Sequence, residues 1–427
     1  MPLQTAFLLQ RAPMASAVPP PPASGSVPQS LPSDDGQGRR QRWPWWPLLP
    51  LYPYGRRRTL VRELIPDRLW SFEQLIGVWY VAVPIRMSVL RLEHGLLLYA
   101  PVAPTAELLQ ALHQLEQRHG PVRTIVLPTA SGLEHKLPVP AMARAFPAAE
   151  VWITPCQWSF PLRLPTGWLG FPPGRTRVLF DQGLPHAEEL DWRQLGPLDL
   201  GLGTFLEVAC LHRSSGALLL TDALVGIPAD PPALFQLDPT PLLFHARERG
   251  DEPLLDTPER RQRGWWRLLL FACFLRPAPL DVPPIGEVLR HSLAPGCRDR
   301  RSHFGLYPFR WQPGWEAEVQ ALLPPGPARP QVAAVLERLV FPRCRSALVA
   351  WIRELAGLEG LRLLVPAHYE APLAVTGDQL QALAEELERR PWAPSSGSWQ
   401  LLAGIDALLL RLGLVPSQPL PSAEHRP

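Results

Sequence analysis

A carboxylate, an imidazole and an amine stand side by side at Glu134-His135-Lys136, inside the stretch VLPTASGLEHKLP that runs from Val126 to Pro138. Groups of the first two kinds recur in matching places. Asp222 follows the apolar run LLLT and His368 follows LLVPA, just as Glu134-His135 follow IVLP. Two imidazoles and two carboxylates suit a divalent transition metal ion: zinc, iron or manganese. Water on such an ion has its pKa lowered, to about 7 in the best zinc sites, and becomes a nucleophile. Lys136 is the single lysine among 42 basic residues. Its ammonium would pair an anionic substrate group in catalysis or one of the site carboxylates, or else form an ordinary surface ion pair worth about 0–1 kcal/mol. Taken singly, each group has a plain structural use. A lone His is more often a hydrogen-bonded core or surface residue, and an Asp after a strand is more often a cap. What joins them is placement, since residues at the carboxyl ends of strands in layered α/β proteins converge on one crevice.

The elements that must position these groups follow from local pattern. From Leu69 the chain turns to β-rich runs: VWYVAVPIR, MSVLRLE and GLLLYAPV, with Glu93-His94-Gly95 as a tight turn that makes a hairpin of the last two. The apolar run Leu75–Pro84 (LIGVWYVAVP) reads as a buried strand, since it is half of the roughly 20 residues a membrane-spanning helix needs. Thr105–His119 has a helical stripe of Leu108, Leu109, Leu112 and Leu115, with Thr105 as N-cap and Gly120 as terminator. The strand VRTIVLP leads into the central loop. A short helix over Val139–Phe146 and a strand over Val151–Thr154 complete an α/β alternation. Gln157, Trp158 and Ser159 follow that strand end, where they would line a pocket or pack structurally. EVACLH and ALLLTD flank Arg213–Gly216 as a hairpin whose pairing sets Asp222 opposite Glu207 at its open end, with His212 near the turn. Further on come a basic helix over Pro258–Phe274, two helices over 329–357, the strand that ends at His368, a helix over Asp378–Arg390 and an apolar segment over Leu401–Leu414.

Bulk composition narrows the classes. A net charge of +3 over 427 residues leaves no nucleic-acid footprint. Five dispersed cysteines without CxxC spacing read as reduced thiols, not a disulfide framework or a zinc knuckle. With no basic n-region at the front and no apolar run of membrane-spanning length, the chain reads as cytoplasmic. Residues 1–38 are rich in Pro, Ser, Ala and Gly and read as a disordered tail. Residues 39–415 read as one domain with a long insertion at 226–320, and 416–427 as a C-terminal tail. The Trp/Pro strip 43–54 reads as an extended arm across the domain, or as a docking strip for a membrane surface or a partner.

The order of these pieces resembles the metallo-β-lactamase superfamily: an opening hairpin, a strand-end HxHxDH loop, a later strand ending in Asp and a final strand ending in His. The stretches LLLYAPVAPT, LPTASGLEHK, QWSFPL, TDALVGIP, DPTPLLFHAR and VPAHYEAP are similar to a family of cyanobacteria and plants known only as a domain of unknown function with this fold. The similarity covers about residues 39–390. It implies an αββα sandwich. With THxHxDH laid over Thr129–His135, the first two histidines fall on Ala130 and Gly132, the Asp on Glu134 and the last His on His135. The resemblance therefore implies that one metal site is lost and the outline of the other is kept in Glu134, His135, Asp222 and His368. Where the superfamily adds a third histidine to the lost site, this chain offers Glu207 or His212, and only Glu207 lies near the right end of its hairpin. Three expectations follow. One is a mononuclear metal-dependent hydrolase of an unknown small molecule. The second is a non-catalytic binding or scaffold protein that holds no metal. The third is a peripheral membrane protein using the strip and the basic insertion.

Overall fold

Strand alternation explains the layers, because side chains of successive residues go to opposite faces of a sheet. In the strand that leads to the candidate loop, Ile125 and Leu127 pack with helices on one side, while Val126 packs against a second sheet on the other. The computed structural model describes residues 10–11, 51–53, 56–78, 80–157, 165–201, 203–295, 301–323, 325–392 and 397–417. The two expected tails and the strip 43–54 lie outside the described residues, except for 10–11, 51–53 and 416–417.

The first sheet contains β1 (Gln10–Arg11), β2 (Leu51–Tyr52), β3 (Leu60–Ile65), β4 (Leu69–Val78), β5 (Val81–Leu92) and β6 (Gly95–Tyr99). Helix α1 (Ala106–His119) then crosses over to β7 (Val122–Leu127). The short helices α2 (Leu133–Lys136) and α3 (Val139–Ala145) lead to β8 (Glu150–Ile153) and β9 (Thr176–Val178). Strands β3 to β6 are antiparallel neighbours, and β6 to β9 are parallel ones. Thr105 caps α1 by accepting from the Leu108 amide, and Gly120 ends it at φ 91°. The helix buries Leu108, Leu112 and Leu115 on the sheet.

The second sheet begins with β10 (Leu190–Asp199), β11 (Thr204–His212) and β12 (Ala217–Leu220). The chain then enters its insertion: β13 (Leu224–Val225), α4 (Thr240–His245), α5 (Pro258–Phe274), β14 (Leu280–Asp281), α6 (Ile285–Ser292), β15 (Arg310–Trp311), α7 (Glu316–Leu322) and β16 (Gln331–Val332), the last of which pairs back to β13. Helices α8 (Ala334–Leu339) and α9 (Arg345–Ala356) follow. Strand β17 (Leu363–Pro366) lies parallel to β12, and β18 (Leu373–Ala374) antiparallel to β17. Helices α10 (Gly377–Arg389) and α11 (Gln400–Arg411) close the described chain. Leu218, Leu220 and Leu364 face α9 and α10, while Leu219 and Val365 face the first sheet. The result is the expected αββα sandwich, helix layer on sheet on sheet on helix layer. A further apolar cluster forms where the insertion packs on the β4–β5 end through Leu75, Tyr80, Ala82, Phe244 and Trp265.

Two local expectations are corrected. The run Leu75–Pro84 is not one strand. It is the end of β4, a turn and the start of β5, with Val78 paired to Val81. Tyr80 takes φ 65° there, and a Cβ on Gly77 would lie 1.9 Å from the Val81 carbonyl oxygen. Nothing in the hydropathy marks this turn, because the residues on both sides of it are equally apolar although Val78 is exposed. From Val81 on, VWYVAVPIR joins MSVLRLE in one strand, β5, which ends at Leu92. Among the described residues no helix is long and apolar enough to cross a membrane, and Cys156, Cys210, Cys273 and Cys344 carry free thiols.

The first sheet also holds a buried ion cluster. Glu73 on β4 accepts from Arg62 on β3 and from Arg86 on β5, at 2.6 and 3.0 Å. Burial pushes the Glu73 carboxyl up, but the two guanidiniums outweigh it and hold the group at about 2. Its folded pKa lies below the ordinary 4.5 of the unfolded chain, so its stabilisation is complete above about pH 4.5 and is lost as pH falls toward 2. In Glu73→Gln, the loss of stability between pH 4.5 and 2 is expected to be shallower than in the parent chain. Denaturation at stepped pH values checks this, and parallel curves would refute it.

Candidate metal centre

The candidate groups arrive on three strand ends. Strand β7 stops at Leu127, and Pro128 cannot donate to the next ladder position. The loop then passes to the second sheet, where the Ala130 amide donates to the Leu206 carbonyl at 3.0 Å and the Val208 amide to the Pro128 carbonyl at 2.8 Å. The single helical turn α2 follows and presents Glu134 and His135. The register of β12 on β17, Leu220 opposite Pro366, runs on to set Asp222 beside His368. Isolated bridges Thr129–Glu207 and Ile85–His368 tie the two sheets at this end.

The His368 ring lies with Nε2 3.1 Å from Asp222 Oδ1 and 3.8 Å from Glu134 Oε1. Its Nδ1 is 3.2 Å from the Pro84 carbonyl, which accepts the Nδ1 proton. His135 is fully buried, and its Nδ1 is 3.1 Å from the Pro101 carbonyl. The same logic therefore fixes both rings: Nδ1–H is spent on a main-chain carbonyl, and Nε2 is left for the site. His135 Nε2 is buried with no hydrogen-bond partner. One donor atom each from Glu134, His135 and His368 lie within 4.8 Å of one another. Asp222 joins this group through its bond to His368.

Charges follow from the same contacts. Burial pushes the Glu134 carboxyl up, but His368 and His135 outweigh it and hold it at about 2. Burial lowers His135. Burial also opposes the charge on His368, yet Asp222 and Glu134 raise it to about 10. Without an ion, then, His368 is an imidazolium clamped between two carboxylates.

Lys136 is placed otherwise. Its ammonium donates to the carbonyls of Ala130 and Gln157, at 2.6 Å each, and burial lowers it to about 8. The Gln157 side chain donates to Thr129 O at 3.1 Å and to Thr154 Oγ1 at 2.6 Å. Both side chains brace the loop from inside. Trp158 and Ser159 lie outside the described residues. Glu207 is fully buried, and its carboxylate accepts the backbone amides of Thr221, Asp222 and Ala223 at 2.5, 3.1 and 2.8 Å. Burial and the Asp222 charge push its carboxyl up to about 7, against the pull of those amides. Glu207 thus shapes the turn that presents Asp222. His212 is at the far end of the hairpin, bonded to Ser215 Oγ at 2.8 Å.

Arg86 has a part that its sequence context suggests only faintly. Its guanidinium donates to the carbonyls of Pro366 and Tyr369, the latter at 2.7 Å. Arg62 reaches the Ala371 carbonyl at 2.8 Å. The Glu73 cluster therefore grips the segment that carries His368. The available signal was an arginine inside the apolar strand VAVPIRMSVL, whose charge demands a buried partner.

The two positions without histidine are built for small residues. Ala130 is packed in the core between the sheets. A Cβ on Gly132 would lie 2.7 Å from Thr129 Cγ2 and 3.1 Å from Glu134 Oε1. Restoring the motif with Ala130→His and Gly132→His is therefore expected to destabilise the protein without adding a second equivalent of metal. A measured gain of one equivalent would refute this.

Solved structures similar to this chain include metallo-β-lactamases. FIM-1 from Pseudomonas aeruginosa, in its mono-zinc form, is 8% identical at a TM-score of 0.34, covering 78% of this chain and 97% of that one. The enzyme from Pontibacter korlensis is 11% identical at a TM-score of 0.35, covering 78% and 100%. No curated protein matches the sequence. A family model matches residues 66–385, the stretch that holds Glu134, His135, Asp222 and His368, and the chain belongs to that family, described as Domain of unknown function (DUF4336).

Proposed function

We propose that Glu134, His135 and His368, with Asp222, hold one divalent transition metal ion, zinc, iron or manganese, and that the protein is a mononuclear metal-dependent hydrolase of a small molecule. The observation that carries this reading is the buried His135 Nε2, a lone-pair nitrogen with no partner beside a carboxylate and a second imidazole. Leaving such a group unsatisfied costs about 1–3 kcal/mol, and an ion would remove that cost. Two imidazoles and two carboxylates match a dication in charge and suit these metals. A bound ion supplies Lewis acidity and lowers the pKa of water toward neutrality. The chain's own groups do the rest. Pro101 and Pro84 orient the rings, Glu207 sets Asp222, and Lys136 holds the loop rigid through two carbonyls instead of meeting substrate.

A second reading, a binding protein that uses the cluster without metal, draws on the His368 imidazolium. Its two carboxylates already satisfy it, so this part of the cluster is complete as it stands. Metal analysis separates the two. Protein purified without a polyhistidine tag or chelator is expected to carry about one equivalent of zinc, iron or manganese. Less than about 0.2 equivalents, with none gained on adding each metal, removes the hydrolase reading and leaves the second.

A further inference from the structure

The candidate metal centre forms one end of a cavity of about 720 Å³, within the roughly 300–1,000 Å³ usual for small-molecule sites. Its polar end consists of Ser131, Glu134, Asp222 and His368. Apart from Tyr369, the other side chains are hydrocarbon, among them Ile76 and Val83 from the β4–β5 arms, Phe205, Phe271 from α5, Phe309 and Leu336. At the mouth Val78 is 54% exposed and Leu275 is 48% exposed. Leu275 ends α5 at φ 61°, a conformation that strains a residue with a side chain. That strain sets an apolar side chain on the rim.

Charge narrows the occupant further. Of the 42 basic residues, no arginine or lysine lines this cavity among the described residues, and its two carboxylates are acidic. A phosphate or sulfate group inside would face Glu134 and Asp222 with no guanidinium or ammonium to neutralise it, and the one cationic group there, the His368 imidazolium, is already held by both carboxylates. Two carboxylates and one dication balance, so a bound ion leaves no excess positive charge to attract an anion. The walls reward apolar area instead, at about 25 cal/mol per Å² removed from water.

We infer that this cavity takes an uncharged, lipid-like molecule, with its hydrocarbon against the insertion and a neutral polar group such as an ester at the Glu134–His368 end. The ester's place rests on the hydrolase reading; the apolar fit does not.

The test uses the full chain and Nile red, a neutral apolar fluorophore, displaced by methyl decanoate below its solubility limit or by decanoate or decyl phosphate below their micelle concentrations. Methyl decanoate is expected to displace the dye at least tenfold more effectively than either anion. Ala272→Trp, which fills the cavity from α5, is expected to weaken dye binding at least tenfold. Val78→Arg, a surface change at the mouth, is expected to shift the preference toward decyl phosphate by about tenfold. An anion that competes as well as the ester overturns the inference. So does dye binding unchanged in a folded Ala272→Trp protein, with folding checked by circular dichroism. If that variant does not fold, an unshifted preference in Val78→Arg overturns it alone. Metal content is measured on the same samples. Metal present without ester preference sinks this inference only, and ester preference without metal sinks the hydrolase reading only.

Discussion

His368→Ala is expected to lower the affinity for a divalent transition metal by at least about 100-fold, and His135→Ala by a similar factor. Changing even the outer partners of metal-bound imidazoles costs about 10–100-fold, so losing a ligand itself costs no less. The two variants should differ in stability. His368→Ala leaves Asp222 and Glu134 facing each other without the imidazolium that lies 3.1 and 3.8 Å from them, so the metal-free protein is expected to lose stability. His135→Ala removes a buried nitrogen that has no partner, so its metal-free form loses packing and one bond to Pro101 but leaves no charge unpaired. Isothermal titration with zinc and denaturation of the chelated proteins read these effects. Unchanged zinc affinity in both variants would remove the proposed ligand set.

Arg86→Met is the second large effect. Removing one partner of a buried ion pair costs about 3–5 kcal/mol, because the other charge is stranded. Here Arg62 remains on Glu73 at 2.6 Å, so the low end, about 3 kcal/mol, is expected. The guanidinium also donates to Pro366 and Tyr369, on either side of His368. Zinc affinity should therefore fall by about 10–100-fold even though Arg86 touches no ligand side chain. The double variant Arg86→Met/Glu73→Leu distinguishes the two roles. With no carboxylate stranded, and with Arg62 partly exposed and still bonded to the Ala371 carbonyl, its stability should recover part of the loss, while zinc affinity stays low because the carbonyls at Pro366 and Tyr369 remain unheld. If Arg86→Met binds zinc like the parent chain, Arg86 is a stabilising residue and not a positioning one.

Legibility differed between elements for physical reasons. Helix α1 was readable because Thr105, the leucine stripe and Gly120 are local signals lying within sixteen residues of one another. The hairpin at Arg213–Gly216 was readable for the same reason, and pairing counted from its turn set Asp222 opposite Glu207, as the β11–β12 register does. The turn between Val78 and Val81 was not readable, because the residues on both sides of it are equally apolar and hydropathy shows no break there. Strands β3 and β10 carry no clear signal in the sequence either. Their interrupted burial, with several half-buried positions, breaks the alternation on which such readings depend.

The sequence by itself determined that a carboxylate, two imidazoles and a second carboxylate would each follow a strand, since residue type and short-range pattern are local properties. Only the tertiary structure decided how they are used. It brought Glu134, His135 and His368 within reach of one ion, hung Asp222 on His368, spent the Lys136 ammonium on two carbonyls and gave Arg86 the segment around His368 to hold. The acceptors of Arg86 lie 280 and 283 residues away, and those of Lys136, only 6 and 21 residues off, meet it only in the folded loop, so no spacing within the sequence encodes either choice.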